Sequence, residues 1–366
     1  MLRFSEVSTA LPSPRRKAAP KPLKSAALAA MEARSVDAIP RGREWQYEPK
    51  WDGFRCLLTR SGTKVDLRSK SGEDLGRYFP ELVAAALKLK ATAFLLDGEI
   101  VVPHGKTFSF DDLLQRIHPA ASRIQKLSQE TPALFLAFDL LANAKGKKLA
   151  AQPLSKRRPA LEGFAKAQFK SSPTFRLSPA TASYTTAQKW LAQAGGGCDG
   201  VMAKRLDLPY QSGNRDGMQK IKNFRSADCV VGGFRYATNK LNDQKVVGSL
   251  LLGLYDRDGL LHHVGFTSAI KQQDKPALTA KLEPLIAKPG FTGNAPGGPS
   301  RWSTERSAQW CPLQPKLVVE VAYDHFSGER FRHGTSILRW RPDKAARQCT
   351  FDQLKQKAVN PMKLLA

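Results

Sequence analysis

The sequence predicts an α+β chain in two successive units, the first mixing short strands with helices and the second dominated by strands. Three observations carry this expectation. From Trp45 onward, short apolar runs alternate with turn residues, the spacing of strands rather than of long helices. A second strand-rich stretch opens at Asp228-Cys229-Val230-Val231-Gly232-Gly233-Phe234, which puts a boundary near Phe224. With 366 residues and 42% hydrophobic content, the chain is long enough for two cores.

The elements follow in order. Residues 1–40 mix Pro, Ala, Ser and Lys with Phe4 as their one aromatic residue, the composition of a flexible basic arm in which residues 25–38 are expected to be partly ordered. Residues 41–224 form the first unit. Within it, residues 78–90 read as a helix because Pro80 sits at a favourable first position. Residues 225–366 form the second unit. There, residues 250–255 and 260–266 flank Asp256-Arg257-Asp258-Gly259, a hairpin turn. A helix at 275–287, a Pro/Gly-rich loop at 288–300 and a strand at 315–323 complete it. That order suits a small barrel such as an OB-fold, although pattern alone does not establish closure.

Charge narrows the function. Fifty-eight Lys and Arg against 32 Asp and Glu leave +26, of which residues 1–40, with seven basic and three acidic residues, hold only +4. The body of the chain is therefore basic, which favours a polyanionic partner through phosphate neutralisation and counterion release. An architectural nucleic-acid binder fits this as well as an enzyme does. Cys56, Cys198, Cys229, Cys311 and Cys349 are far apart and odd in number, so neither a disulfide framework nor a paired-cysteine zinc site is expected. The six histidines, His262 and His263 among them, show no ligand spacing. No run approaches the ~18 apolar residues of a membrane span, and no secretory signal opens the chain. A cytoplasmic, nucleoid-associated protein without a membrane partner is expected.

Chemistry enters with Glu48-Pro49-Lys50-Trp51-Asp52-Gly53-Phe54-Arg55, where two acids, a lysine and an arginine fall within eight residues. Alone, this is a solvated strand end. However, Asp97-Gly98-Glu99 lies between the apolar runs Phe94-Leu95-Leu96 and Ile100-Val101-Val102, where carboxylates are costly unless they have partners. Asp139 repeats the device inside Phe135 to Leu141, as does Asp199 in Asp199-Gly200-Val201-Met202-Ala203-Lys204. Lys220 and Lys222 share one strand face with Ile221 opposite. Each segment by itself also fits a strand terminus or core filler.

Together, over about residues 31–355, these segments resemble the collinear motifs of the covalent nucleotidyltransferases, the superfamily of ATP-dependent DNA ligases, RNA ligases and mRNA capping enzymes. Residues 220–234, 248–266 and 330–344 are most similar to small bacterial ATP-dependent DNA ligases related to the end-joining ligase domain. The resemblance implies a nucleotidyltransferase (adenylation) domain of antiparallel sheets with flanking helices, followed by an OB-fold β-barrel. It implies a monomer that uses ATP with Mg2+ or Mn2+ and acts on nicked duplex DNA in repair or end joining. A Ku-like end-binding protein and a separate polymerase are its candidate partners in trans.

It also assigns roles. Lys50 is the expected nucleophile toward the ATP α-phosphorus, and its amine must lose a proton before it attacks. Cations at Lys220 and Lys222 and the metal are expected to favour that loss. Glu48 reads the adenine amino group, Phe138 and Met202 cover the adenine faces, and Arg55 and Glu99 serve the ribose and the nick end. Asp199 and Glu99 are the expected metal ligands, Asp199 standing where the family often has Glu. Lys70, in Ser69-Lys70-Ser71-Gly72 where many relatives have Ser-Arg, and Arg68 are expected at the DNA 5'-phosphate. Arg339, Arg341, Asp343 and Lys344, in Arg339-Trp340-Arg341-Pro342-Asp343-Lys344, are expected to orient the pyrophosphate from a second domain that hinges at residues 224–227. An RNA ligase or capping-type transferase, and a non-catalytic nucleic-acid binder, are the alternatives.

Overall fold

A computed structural model describes residues 28–239, 241, 244–297, 309–355 and 360–365. Most of the arm expected at 1–40 lies outside these residues. The order expected within residues 25–38 takes this form: β1 (Arg34–Ser35) pairs in parallel with a strand of the first unit, and Ala30 and Met31 are buried. Apolar Ala30 and Met31 seat this segment beside Leu57, Leu95 and Tyr210.

Two sheets build the first unit. One contains β1, β2 (Trp45–Trp51), β10 (Cys198–Arg205) and β11 (Met218–Lys222), in the order β1-β11-β10-β2. The other contains β3 (Phe54–Ser61), β4 (Lys64–Ser69), β5 (Ala93–Val101), β8 (Leu134–Ala142) and β9 (Phe175–Leu177), ordered β4-β3-β5-β8-β9. A short hairpin of β6 (Pro103–His104) and β7 (Thr107–Phe108) lies between β5 and β8 in the chain. Each sheet buries an apolar outer face under helices. Leu82 and Ala86 of α1 (Pro80–Lys88), Leu113 of α2 (Phe110–Gln115), and Leu161 and Phe164 of α4 (Leu154–Gln168) join the core of the five-stranded sheet. Next to α1 packs α3 (Ala121–Glu130), while α5 (Tyr184–Ala192) covers the four-stranded sheet through Ala187. Pro80 does stand in the first turn of α1.

Beyond Lys222 only Asn223 and Phe224 precede β12 (Arg225–Tyr236), and Phe224 is exposed. Of the residues expected to hinge, 224–227, Arg225, Ser226 and Ala227 already pair with Tyr323, Ala322 and Val321. The second unit orders β14-β13-β12-β16-β19, with β13 (Val247–Tyr255), β14 (Leu261–Thr267), β16 (Val318–Tyr323) and β19 (Ser336–Trp340). Alongside β12 lies β15 (Cys311–Pro312), and β17 (Phe326–Ser327) and β18 (Arg330–Phe331) form a separate hairpin. Asp256 Oδ1 accepts from the amides of Asp258 and Leu260, which closes the predicted turn between β13 and β14. The helix expected over 275–287 is shorter, α6 (Lys275–Leu282), because Pro284 follows and the chain tightens into a 3-10 turn.

Among the described residues no ladder closes the six-stranded sheet into a barrel. The edges meet at one point instead. Thr335, just before β19, donates its amide to Phe266 in β14 and accepts from Thr267 Oγ1 through its carbonyl. Past the second unit the chain returns to the first: Met362, Leu364 and Leu365 pack against the buried group of Trp51, Phe108 and Phe138. No described helix is long and apolar enough to cross a membrane.

Candidate active site between the two sheets

The pleat of the four-stranded sheet sorts the expected residues. Glu48 stands opposite Met202 and Lys50 opposite Gly200, while Met202 and Gly200 face Lys220 and Lys222 on β11. These positions share one face. The alternate positions Tyr47, Val201, Ala203 and Ile221 share the other and are buried with α5. At Gly200, φ is +154° and a Cβ would stand 2.0 Å from the Ile221 carbonyl oxygen, so only glycine lets β10 pass this close to β11 beside Lys50.

The five-stranded sheet supplies the facing wall. Arg55 and Glu99 are cross-strand neighbours on β3 and β5, and Phe138 comes from β8. Arg55 donates to both oxygens of fully buried Asp97 at 2.5 and 2.6 Å and lies 4.5 Å above the Phe138 ring. The Tyr210 hydroxyl donates to Asp97 at 2.6 Å and accepts the Met31 amide at 2.8 Å, which ties residue 31 to the arginine. Gly98 between the two acids has no room for a side chain, since a Cβ would meet the Phe135 ring at 2.4 Å. Asp139 is paired elsewhere: Arg157 holds both of its oxygens at 2.9 Å inside the protein. Two of the carboxylates that looked costly in the sequence, Asp97 and Asp139, thus have partners, Arg55 and Arg157.

Between the walls lies a cavity of about 240 Å³, lined by Glu48, Lys50, Arg55, Glu99, Phe138, Met202, Lys220 and, at its edge, Met31, Glu32, Ala33 and Lys70. Lys204, quoted in the sequence motif but given no role there, also lines it. Its ammonium sits 2.7 Å from Glu48 and 4.5 Å from the Phe138 ring centre. Its period-two spacing from Met202 was the available signal. Lys70 is engaged by Glu32 at 3.1 Å. Arg68, by contrast, is held by Asp66 and is not among the lining residues.

Electrostatics set the protons. Burial would lower the Lys50 amine, but Asp199, 2.9 Å away, with Asp52 and Glu99 beyond it, holds it above the ordinary lysine value. The expected cationic surroundings of Lys50 are overruled here by carboxylates, because Lys222 is turned to Asp324 at 2.6 Å. Lys220 is pushed down by burial and by Lys222 and Lys50. Burial lifts the Glu99 carboxyl to about 8, against the pull of Arg55 and Lys50. The same effect would raise Asp199, yet His325 and Lys50 keep it well below the usual carboxylate range.

His325 comes from the second unit, and no spacing in the sequence pointed to it. Residues 324–333 reach the open end of the site: Arg332 grips both oxygens of Asp52 and stacks on Phe110, and His333 pairs with Asp324 at 3.0 Å. Ligand atoms of Asp52, Asp199 and His325 lie within 4.8 Å of one another, a donor set of two carboxylates and an imidazole suited to a divalent cation. Glu99, expected to share a metal with Asp199, is outside that group. The Arg339, Arg341, Asp343 and Lys344 set is not gathered at Lys50. Arg339 pairs with Glu320, Arg341 with Asp228 and Asp343, and Lys344 with Asp228.

Comparison with known proteins identifies the family. The sequence matches the ATP dependent DNA ligase domain over residues 27–222 and the ATP dependent DNA ligase C terminal region over 243–344. DNA ligase C2 of Mycolicibacterium smegmatis is 45% identical over 340 residues, covering 88% of this chain and 93% of that protein. The multifunctional non-homologous end joining protein LigD of Mycobacterium bovis is 29% identical over 306 residues, 83% of this chain but 37% of that one. A solved structure from a structure-function study of Lig E DNA ligases shares the fold at a TM-score of 0.52 and 17% identity, covering 86% of this chain and 99% of its own. The resemblance read from Lys50 and its ordered companions is borne out, and the chain belongs to the ATP-dependent DNA ligases.

Proposed function

We propose that the cleft takes AMP from ATP onto Lys50, passes it to the 5'-phosphate of a nick in duplex DNA, and seals the nick by attack of the neighbouring 3'-hydroxyl, which expels AMP. One observation carries this reading: Glu48, Lys50, Met202 and Lys220 share a single sheet face that looks across the cleft at Arg55, Glu99 and Phe138. Glu48, held by Lys204, accepts from the adenine amino group, and Phe138 and Met202 sandwich the ring. Glu99, protonated near neutrality, donates to a ribose oxygen, with Arg55 beside it. In the first step a bond forms from Lys50 Nζ to the α-phosphorus, the bond to the β-phosphate bridging oxygen breaks, and pyrophosphate leaves. Lys220 offsets charge on the α-phosphate, joined by Lys222 once the second unit turns away and frees it from Asp324. A Mg2+ or Mn2+ ion held by Asp199 would supply charge compensation at the phosphates and weaken the hold of that carboxylate on the Lys50 proton. Asp199 Oδ2, 2.9 Å from Nζ, is the acceptor for the proton that Lys50 gives up as it attacks.

Asp343 and its basic neighbours, Arg339, Arg341 and Lys344, belong to the first step, when the second unit turns them toward the pyrophosphate. The arrangement described here, with residues 324–333 at the cleft instead, fits the steps on DNA. Division at Asn223 and Phe224, and an OB-fold for the second unit, are part of the same reading. Lys70 and Arg68 face the 5'-phosphate, and the basic body grips the duplex through its phosphates without sequence preference. LigD similarity supports a place in repair by end joining, with a Ku-like protein and a polymerase acting in trans. Incubation with α-labelled ATP is expected to give an acid-labile covalent label that nicked DNA discharges. Lys50→Ala should abolish it. Labelling by GTP instead, or discharge only by nicked RNA, would overturn the assignment.

A further inference from the structure

We infer that His325 is a ligand of the divalent cation, contributed by the second unit, so that the cation site is complete only when the two units are closed on each other. This rests on the reading that Asp199 holds the cation. His325 Nδ1 lies 3.6 Å from Asp199 Oδ1 and 3.9 Å from Asp52 Oδ2. Lys50 takes the other oxygen of Asp199, Oδ2, which leaves Oδ1 toward the imidazole. An octahedral ion with bonds of about 2.1 Å spaces its neighbouring ligands roughly 3.0 Å apart and its opposite ones roughly 4.2 Å apart. The observed separations fall between these two values. Neutral imidazole is the commonest side-chain metal ligand and favours transition ions over Mg2+, which makes Mn2+ the better match of the two.

The fold explains why this histidine arrives there. The β17 and β18 strands form a two-stranded hairpin, with Phe326 opposite Phe331 and Ser327 opposite Arg330. That reversal brings His325 and Arg332, which flank it, side by side against Asp52. The Phe326 and Phe331 rings, 5.3 Å apart, pack together and brace the hairpin. His333 is placed differently, on Asp324 at the mouth of the site, and so serves as an internal control. Because one ligand belongs to the moving unit, ion binding and closure are linked and each favours the other.

Mn2+ is the probe, with the full chain and no nucleotide. Pulsed electron paramagnetic resonance detects nitrogen coupling from a coordinated imidazole. Coupling is expected in the wild type and in His333→Gln, and is lost in His325→Gln, whose Mn2+ dissociation constant rises on the order of tenfold or more. His325→Asp supplies an oxygen ligand and should keep the ion within a few-fold while losing the nitrogen signal. Absence of coupling in the wild type, or its survival in His325→Gln, overturns the proposal. If Asp199→Asn abolishes Mn2+ binding while the wild type shows no nitrogen, the Asp199 reading stands and His325 falls. Unchanged binding in Asp199→Asn removes both.

Discussion

Lys204→Met isolates the pair that positions Glu48 and separates its structural from its functional effect. Glu48 is 1% exposed and Lys204 7%, so water does little to screen the pair. Without the ammonium, the carboxylate keeps one neutral side-chain donor, Gln46 Nε2 at 2.8 Å. Breaking a buried pair on one side costs about 3–5 kcal/mol, because the remaining charge stays uncompensated. For a unit of this size, 3 kcal/mol lowers the midpoint of thermal unfolding by roughly 6–12 °C. Adding Glu48→Gln removes the stranded charge as well, and the double variant should recover to within about 1.5 kcal/mol of the wild type. Adenylation should not recover, since Glu48→Gln replaces the carboxylate proposed to accept from the adenine amino group with a weaker amide acceptor that Lys204 no longer orients. Denaturant unfolding followed by fluorescence, beside labelling with α-labelled ATP, reads the two effects separately. A loss under about 1 kcal/mol in Lys204→Met, or a double variant no more stable than the single one, would refute the reasoning.

Two further outcomes follow from other parts of the molecule. Arg332→Gln strands Asp52 and should shift the closed-to-open ratio of the two units by roughly a hundredfold, worth about 3 kcal/mol. Small-angle scattering should then show a larger radius of gyration and proteolysis faster cutting at Asn223 and Phe224; an unchanged radius counts against the clamp. His263 is buried, its Nε2 has no partner among the described residues, and burial, with Arg330 and Arg235 nearby, pushes its pKa down to about 3. The unfolded chain takes up this proton below about pH 6.5 and the folded one does not, so stability is intact above that pH and erodes as pH falls. At pH 5 the loss is about 2 kcal/mol, and His263→Gln should flatten that slope; an identical slope in the variant excludes the histidine.

Much of the site was legible because strand geometry is local. Period-two alternation alone places Lys220 and Lys222 on one face and Ile221 on the other, and the sheet keeps that division. Acids inside apolar runs, Asp97 and Asp139, announced partners, although their identity as Arg55 and Arg157 depends on contacts across 42 and 18 residues. Order at residues 25–38 was legible only in outline, because composition does not show that Ala30 and Met31 find a hydrophobic seat beside Tyr210.

Residue order and type by themselves determined the chemistry on offer: a lysine in Lys50-Trp51-Asp52-Gly53, acids at fixed places, aromatic and methionine positions at strand spacing, and a basic body. Tertiary structure alone decided which charges meet. It set Asp199 against Lys50 across 149 residues and Arg332 against Asp52 across 280, and it turned Arg339 and Arg341 to other partners. The physical reason is range: the pleat is fixed by neighbouring peptide units, whereas a proton's affinity depends on whatever charge the fold brings within a few ångströms.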